Sequence, residues 1–135
     1  MTLTPRPTGR HVLKAVCRSA AGQVAAIAAL IERHGGYVEE FAVHDDRPSE
    51  RFFVRAMFRC PDPQADVLPR LSADLDRIAP SIQALQWQVH DLAVQPRVLL
   101  MVSRLDHCLV ELLAGWKRGE LPMQPVGIVS NHPDL

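Results

Sequence analysis

Apolar and polar positions follow two different periods in the first part of the chain, and their order predicts a βαββαβ fold. Alternation at every second residue predicts four strands, over residues 11–17, 37–44, 51–60 and 85–89. Apolar residues at helical spacing predict two helices, over residues 22–34 and 68–78. This order is typical of the ferredoxin-like arrangement, in which a four-stranded antiparallel sheet carries both helices on one face.

The strand over residues 51–60 has the clearest alternation. One of its faces is apolar: Phe52, Val54, Ala56 and Phe58. The other face is mixed: Arg51, Phe53, Arg55, Met57 and Arg59. A free sheet face that carries Phe53 and Met57 is expected to pack against something. The arginines are interpreted as a solvated strand face or as part of a dimer contact.

Turn-forming residues bound these elements. The stretch Ser19-Ala20-Ala21-Gly22 is a turn in which Ser19 is able to cap the first helix. Gly35 and Gly36 end that helix, because glycine accepts the left-handed conformation of a helix end. In the last strand, Leu85, Trp87 and Val89 are expected to alternate with glutamines and a histidine, as in a half-buried strand.

After a short linker the pattern changes class. Residues 98–102 are apolar throughout, as in a strand covered on both faces of a parallel sheet, and a second short strand follows over residues 125–130. Between them, a helical stripe ends at Gly119 and is expected to be capped by Asp106. Its members are Leu105, Cys108, Leu109, Leu112, Leu113 and Trp116. This is one parallel β-α-β crossover.

The chain therefore divides into a flexible tail (1–10), a ferredoxin-like domain (11–92), a linker (93–96) and an α/β unit (97–135). Two parallel strands and one helix leave a sheet face uncovered, and such a short unit seldom builds its own core. We therefore expect the α/β unit to be incomplete, either because the chain is truncated or because something else covers it.

Composition narrows the function classes. Lys plus Arg and Asp plus Glu both number 15, so no basic surplus indicates nucleic acid or an anionic membrane. No apolar run approaches the roughly 20 residues of a membrane span, and no secretory signal is apparent. Cys17, Cys60 and Cys108 lack metal or disulfide spacing. They are interpreted as buried small hydrophobes in a reducing, cytoplasmic protein, with no metal site expected.

Residues 97–135 resemble the start of the hydrolase domain of formyltetrahydrofolate deformylases. The stretches that carry this resemblance are Arg97-Val98-Leu99-Leu100, Ser103 to Leu109, Leu112-Leu113, Trp116, Gly119-Glu120-Leu121 and Val129 to Leu135. The region before it resembles the ACT domain that precedes the hydrolase in that family, through His34-Gly35-Gly36 and Arg51-Phe52-Phe53-x-Arg55. The fold thus implied is an α+β ferredoxin-like ACT domain (βαββαβ) followed by an incomplete α/β parallel β-α-β unit.

The resemblance implies hydrolysis of 10-formyltetrahydrofolate to tetrahydrofolate and formate, with no cofactor besides the folate substrate. It places the family's catalytic Asn, His and Asp beyond the second parallel strand. No catalytic residue is therefore expected in this chain, and Asn131 and His132 are not that pair. The family's first turn reads Cys-Pro-Asp-x-x-Gly, whereas here it is Cys17-Arg18-Ser19-Ala20-Ala21-Gly22, which weakens the case for an amino-acid effector at this turn.

The substrate-cleft candidates are Ser103, His107, Asn131 and His132, because open α/β sheets place ligands at the carboxyl ends of their strands. Ser103 faces a helix N-terminus and is a candidate for binding an anion such as a folate carboxylate. The alternatives stay open: His107 as a surface or packing residue, and His132 and Asp134 as ordinary loop residues. Ser19 and Gly22 are the effector-loop candidates.

Two other readings remain. The first is a stand-alone ACT module that binds a small molecule or a partner without chemistry. The second is an interaction protein that dimerises through the free sheet face, and a homo-oligomer is expected in either case. Residues 98–102 and the stretch from Ser103 to Leu109 favour the hydrolase, because a bare ACT module needs neither.

Overall fold

The computed structural model describes residues 9–62 and 66–133, and Asp134, interpreted from the sequence as a loop residue, lies outside these ranges. The chain divides between Val94 and Gln95 into two compact units. Of the predicted tail, residues 1–8 lie outside the described residues. The other two residues are tied to the sheet, because Gly9 O accepts the amide of Cys60 at 2.8 Å and Arg10 begins the first strand.

The first unit has the predicted βαββαβ order. Its elements are β1 (Arg10–Arg18), α1 (Gln23–Arg33), β2 (Tyr37–Asp46), β3 (Arg51–Arg59), α2 (Val67–Ile78) and β4 (Ala84–Asp91). The strands form one sheet in the order β2-β3-β1-β4, and every neighbouring pair is antiparallel. The ferredoxin-like arrangement predicted from the sequence is confirmed.

One face of this sheet and the two helices enclose the core. The largest fully buried side chains are Phe58, Leu13, Ile27, Leu30, Ile31, Leu71, Leu75, Gln23 and Cys17. Along β3, Val54, Ala56 and Phe58 are buried, whereas Phe53 on the opposite face is 37% exposed. The alternation predicted for this strand therefore separates a core face from a free face.

Strand β4 departs from its predicted alternation. Trp87 and Val89 pack against the core as expected, but Leu85 is exposed and Ala84 packs there in its place. The cause is a shift in the β1–β4 register between Val16 and Cys17, which inserts one extra residue into β4. A bulge reverses the facing of every residue beyond it, so the sequence pattern alone assigned Leu85 to the wrong side.

The end of helix α1 shows why two glycines are needed there. Gly35 has φ +75°, which confirms the left-handed helix end predicted for it. Gly36 serves a different purpose, because a Cβ at this position would lie 2.5 Å from Cγ2 of Ile31 and 2.9 Å from Cδ2 of Phe58. The backbone that leads into β2 thus passes directly against the core.

A polar cluster joins the two helices on their outer side. His34 Nε2 lies 2.8 Å from Asp74 Oδ2, and Arg77 Nη2 donates to Asp74 Oδ1 at 2.9 Å. Both hydrogen bonds lower the pKa of the Asp74 carboxyl, and the one with His34 has the larger effect.

The replacement Asp74→Asn is expected to lower stability at neutral pH and to have little effect in acid. A carboxyl whose folded pKa is depressed stabilises the fold above its unfolded pKa of about 4, and this contribution disappears as pH falls through the folded value. Urea midpoints of both proteins from pH 7 to pH 2.5 measure the difference. A constant difference across that range would contradict the assignment. Glu32→Gln is the matched control, because Glu32 is exposed on α1. Asp62→Asn would not serve, because Asp62 has interactions of its own.

The second unit contains β5 (Arg97–Val102), α3 (His107–Lys117) and β6 (Gln124–Ser130). The two strands pair in parallel, which confirms the predicted crossover. Large apolar side chains stay exposed on both strands, on the helix and in the loop before it: Leu99, Met101, Leu105, Val110, Leu112, Trp116, Val126, Ile128 and Val129. Leu100, Met123 and Gly115 are buried. Within the described ranges, none of the helices has the length and apolar content to cross a bilayer.

Candidate functional site

The carboxyl ends of β5 and β6 lie side by side. Val102 pairs with Ser130 in the parallel register, so Ser103 and Asn131 leave the sheet at the same edge. This edge is where open α/β sheets bind ligands. Two of the predicted substrate-cleft residues, Ser103 and Asn131, therefore come directly after the ends of neighbouring strands.

A cavity of about 750 Å³ lies beside the end of β5 and the start of α3. This volume falls within the range of small-molecule sites. Ser103 and His107 both line it, together with Arg104 and the thiol-bearing Cys108. The remaining lining is mostly apolar: Leu100, Met101, Val102, Leu105, Leu109 and Leu112. A hydroxyl, an imidazole and a guanidinium on an apolar wall can bind an aromatic ring system that carries anionic groups.

The N-terminus of α3 opens beside these residues. Asp106 is the N-cap residue, as predicted, but its side chain makes no capping hydrogen bond. The first intrahelical bond runs from Val110 N–H to Asp106 O at 2.9 Å. Because the amides of the first turn have no partner in the helix, the positive end of the helix dipole is available to an anion.

Asn131 and His132 do not line this cavity. The backbone amide of His132 donates to Ser130 Oγ at 3.0 Å, which closes a tight turn after β6. Asn131 is exposed and His132 is half-buried. The structure therefore brings Ser103 and His107 together, and it places Asn131 and His132 on the adjacent turn.

The two effector-loop candidates, Ser19 and Gly22, lie in the turn between β1 and α1, and only Ser19 lines a depression there. Ser19 lines a depression of about 520 Å³. Ser19 does not cap α1, because its hydroxyl donates to Asp45 Oδ1 at 2.6 Å. The N-cap residue is Gly22, with φ 85°, and it does not line the depression. The expectation that Ser19 caps the helix is thus wrong, since a carboxylate on β2 accepts its hydroxyl.

A residue that sequence reasoning missed fixes this turn. Gln23 is 2% exposed. Its side-chain amide donates to Arg18 O at 2.5 Å and to Ile82 O at 2.8 Å, and its Oε1 accepts the amide of Ala20 at 3.3 Å. Gln23 stands four residues before the buried Ile27, so its position on the helix stripe was the available signal. It joins the β1–α1 turn to the loop before β4.

The cysteines differ in environment. Cys17 and Cys60 are buried, as predicted, and burial raises the pKa of each thiol. Cys108 is exposed, so the prediction of a buried small hydrophobe was wrong for it. The stripe of α3 on which it lies is only partly covered. Among the described residues, no group of three or more His, Cys, Asp or Glu side chains is placed to hold a metal ion.

The sequence of this chain is related to those of known proteins, and the matches cover both units. A deformylase of formyltetrahydrofolate from Corynebacterium sp. (strain P-1) is 35% identical over 125 residues, which are 93% of this chain and 43% of that protein. Another from Synechocystis sp. is 35% identical over 119 residues, or 88% of this chain and 41% of that protein. No family model matches the chain.

A solved structure agrees with these relatives. The crystal structure of formyltetrahydrofolate deformylase from Burkholderia mallei is 50% identical to this chain, with a TM-score of 0.78 over 93% of this chain and 43% of that one.

The chain is a homologue of formyltetrahydrofolate deformylases.

This deformylase homologue spans about two fifths of the length of the curated relatives that it matches. An ACT domain protein from Streptococcus pneumoniae, 14% identical, matches 62% of this chain with a TM-score of 0.54 and covers 90% of that protein. At this identity the likeness concerns the fold alone. The ferredoxin-like unit of the deformylase homologue therefore has the ACT-type fold that the resemblance implied.

Proposed function

We propose that this chain supplies the ACT domain and the first strands of the hydrolase domain of a deformylase that cleaves 10-formyltetrahydrofolate to tetrahydrofolate and formate. The observation that carries the proposal is the homology to formyltetrahydrofolate deformylases across both units. The reaction adds water to the formyl carbon, breaks the bond from that carbon to N10, and passes a proton to N10 as formate leaves. The resemblance places the groups that move these protons beyond Asn131 and His132.

Within such an enzyme, the residues at the end of β5 would bind the substrate. The cavity lined by Ser103, Arg104 and His107 has apolar walls for a pterin or benzoyl ring. The Arg104 guanidinium and the first-turn amides of α3 favour an anionic group, such as a folate carboxylate. His107, on the first turn of α3, would orient the substrate, because its imidazole can donate a hydrogen bond to a polar group of the substrate or accept one from it.

The proposal predicts that the 135-residue chain alone releases no formate from 10-formyltetrahydrofolate, whereas a hybrid enzyme does. The hybrid continues this chain with the unmatched part of the Burkholderia mallei deformylase, which is 50% identical over the shared region. In the hybrid, Arg104→Ala is expected to raise KM for the substrate about tenfold, roughly the contribution of one charge-assisted hydrogen bond. Formate release is measured with a coupled dehydrogenase.

Lys117→Ala, on the exposed end of α3 and away from the cavity lining, is the matched control and should leave KM unchanged. A hybrid that folds but lacks activity would argue against the proposal, as would formate release by the chain alone.

A second candidate is an ACT module that binds a small-molecule effector. The depression beside Ser19, which Arg18 and Glu50 also line, favours it. An amino acid bound there would raise the thermal midpoint of the chain by mass action, and a shift assay with free amino acids tests this.

A further inference from the structure

The free face of the ACT-fold unit places positive charges directly opposite one another. In the register of β1 with β3, every fourth position pairs two cations, and like charges placed opposite each other destabilise a sheet. The pairs are Arg10 with Arg59, Lys14 with Arg55, and Arg18 with Arg51. The positions between them are apolar, with Val12 opposite Met57 and Val16 opposite Phe53.

Acidic residues of β2 offset this repulsion at one end of the face only. Glu39 lies 2.9 Å from Arg10 and 3.6 Å from Arg59, and Glu40 lies 2.9 Å from Arg55. Among the described residues, Lys14, Arg18 and Arg51 have no carboxylate within ion-pair distance. All three are exposed. In the described part of the chain, the end of the free face that carries Lys14, Arg18 and Arg51 therefore has no salt bridge to offset its positive charge.

Two acidic residues, Asp46 and Glu50, also lie at this end of the sheet. Asp46 stands opposite Arg51 in the β2–β3 register, but it accepts the hydroxyl of Ser49. Glu50, in the turn between β2 and β3, lines the depression that Arg18 and Arg51 share. Among the described residues, neither the Asp46 nor the Glu50 carboxylate forms a salt bridge with the two guanidinium groups and the ammonium at this end.

These cations border a groove along β1 and β4. Two depressions of about 530 and 520 Å³ adjoin at Leu85, which lines both. Lys14 and Val16 line the first, and Arg18 lines the second. Side-chain amides of β4 form the opposite wall, because Gln86 lies across from Val16 and Gln88 across from Lys14. The β4 bulge turns the Leu85 side chain outward, so it adds to the apolar floor.

We propose that this groove binds an extended acidic polypeptide segment with carboxylates at positions i and i+4 and an apolar residue at i+2. Lys14 and Arg18 are four residues apart on one strand, hence about 13 Å apart at the usual rise. Positions i and i+4 of an extended peptide match that spacing, and position i+2 falls over Val16. The side-chain amide of Gln86 offers a donor and an acceptor to a peptide backbone, and that of Gln88, whose Oε1 lies 3.1 Å from His90 Nε2, offers a donor.

Charge and shape favour this occupant over other anions. A phosphate chain matches the cations but leaves Val16 and Leu85 without an apolar partner. A free amino acid is too short to reach Lys14 and Arg18 together. An acidic peptide matches the cations, the apolar floor and the amide wall at once, and it does so in the conformation that a strand-lined groove prefers.

The test titrates the 135-residue chain with the peptide Glu-Ser-Leu-Ser-Glu, blocked at both ends, at low salt by calorimetry and by amide chemical shifts. The double variant Lys14→Gln/Arg18→Gln is expected to weaken binding about tenfold, and Lys14→Gln alone about threefold, as befits exposed ion pairs. The matched control is Arg33→Gln/Arg70→Gln, which removes the same charge from exposed positions on the helices. It should leave binding within twofold.

The proposal is overturned by no binding at millimolar peptide, by equal loss in the two double variants, or by equal binding of Lys-Ser-Leu-Ser-Lys. Binding of tripolyphosphate or of free glutamate as tight as that of the peptide would also overturn it, since either would show a nonspecific anion patch. If the double variant does not fold, the single Lys14→Gln variant decides, since Lys14 is an exposed residue on the free face.

Discussion

Replacing Phe58 by alanine is expected to lower the free energy of unfolding of the ACT-fold unit by about 3–5 kcal/mol. Phe58 is fully buried at the centre of the core, where it stacks on His11 with ring centroids 5.4 Å apart and lies against Gly36. Removal of the ring leaves a cavity that the surrounding strands and helices cannot close. A small domain is stable by only about 5–15 kcal/mol, so the variant should lose a large share of its stability.

Urea unfolding followed by Trp87 fluorescence measures this loss. Trp87 belongs to the same unit and hydrogen-bonds Asp76 Oδ1 at 2.6 Å, so its emission reports unfolding of the core. Trp116→Phe removes the other tryptophan, which lies in the second unit. Phe53→Ala is the matched control, because the same ring is removed from the free face of the same strand. A loss at Phe53 as large as that at Phe58 would contradict the assignment of the core face.

Replacing Gln23 by leucine should lower the stability of the same unit by about 2–4 kcal/mol. Leucine keeps the volume, but Arg18 O and Ile82 O both lose their donor, and each unsatisfied buried carbonyl costs about 1–3 kcal/mol. The loss is largest where water cannot replace the amide, and the bond to Ile82 O is buried.

Hydrogen exchange adds a local measurement to urea unfolding. The turn between β1 and α1 and the loop before β4 should both lose amide protection in Gln23→Leu, since one side chain holds the two segments. Gln86→Leu serves as control because Gln86 is exposed on β4. Should the two variants prove equally stable, the role given to the Gln23 amide would be wrong.

The sequence correctly predicted which side chains face the core wherever this depends only on the spacing of apolar residues along one strand or helix. The alternation of β3 assigned Phe58 to the apolar face, and the helical spacing predicted α1 and α2; Phe58, Ile27 of α1 and Leu71 of α2 are fully buried. It failed at Leu85, because a bulge arises from pairing with a neighbouring strand that the local pattern does not contain. It also placed Cys108 inside, because burial of a helix stripe requires a covering element.

In the candidate sites too, the sequence predicted contacts between residues close along the chain but not contacts between distant ones. Ser103 and His107 line one cavity because a strand end and the next helix start are close along the chain, so their proximity is encoded locally. The hydroxyl of Ser19 donates to Asp45, which is 26 residues away, and the Gln23 amide reaches Ile82 across 59 residues. Contacts of that separation depend on the assembled sheet, and local motif spacing does not reveal them.

The close approach at Gly36 ties three positions of the family together. Because the backbone at this point leaves no room between Ile31 and Phe58, a side chain here would have to be accommodated by a smaller neighbour. Relatives that carry alanine in place of this glycine should therefore carry alanine, which has no Cγ2, in place of Ile31 and a smaller side chain in place of Phe58. In evolutionary terms, we expect these three sites to change together.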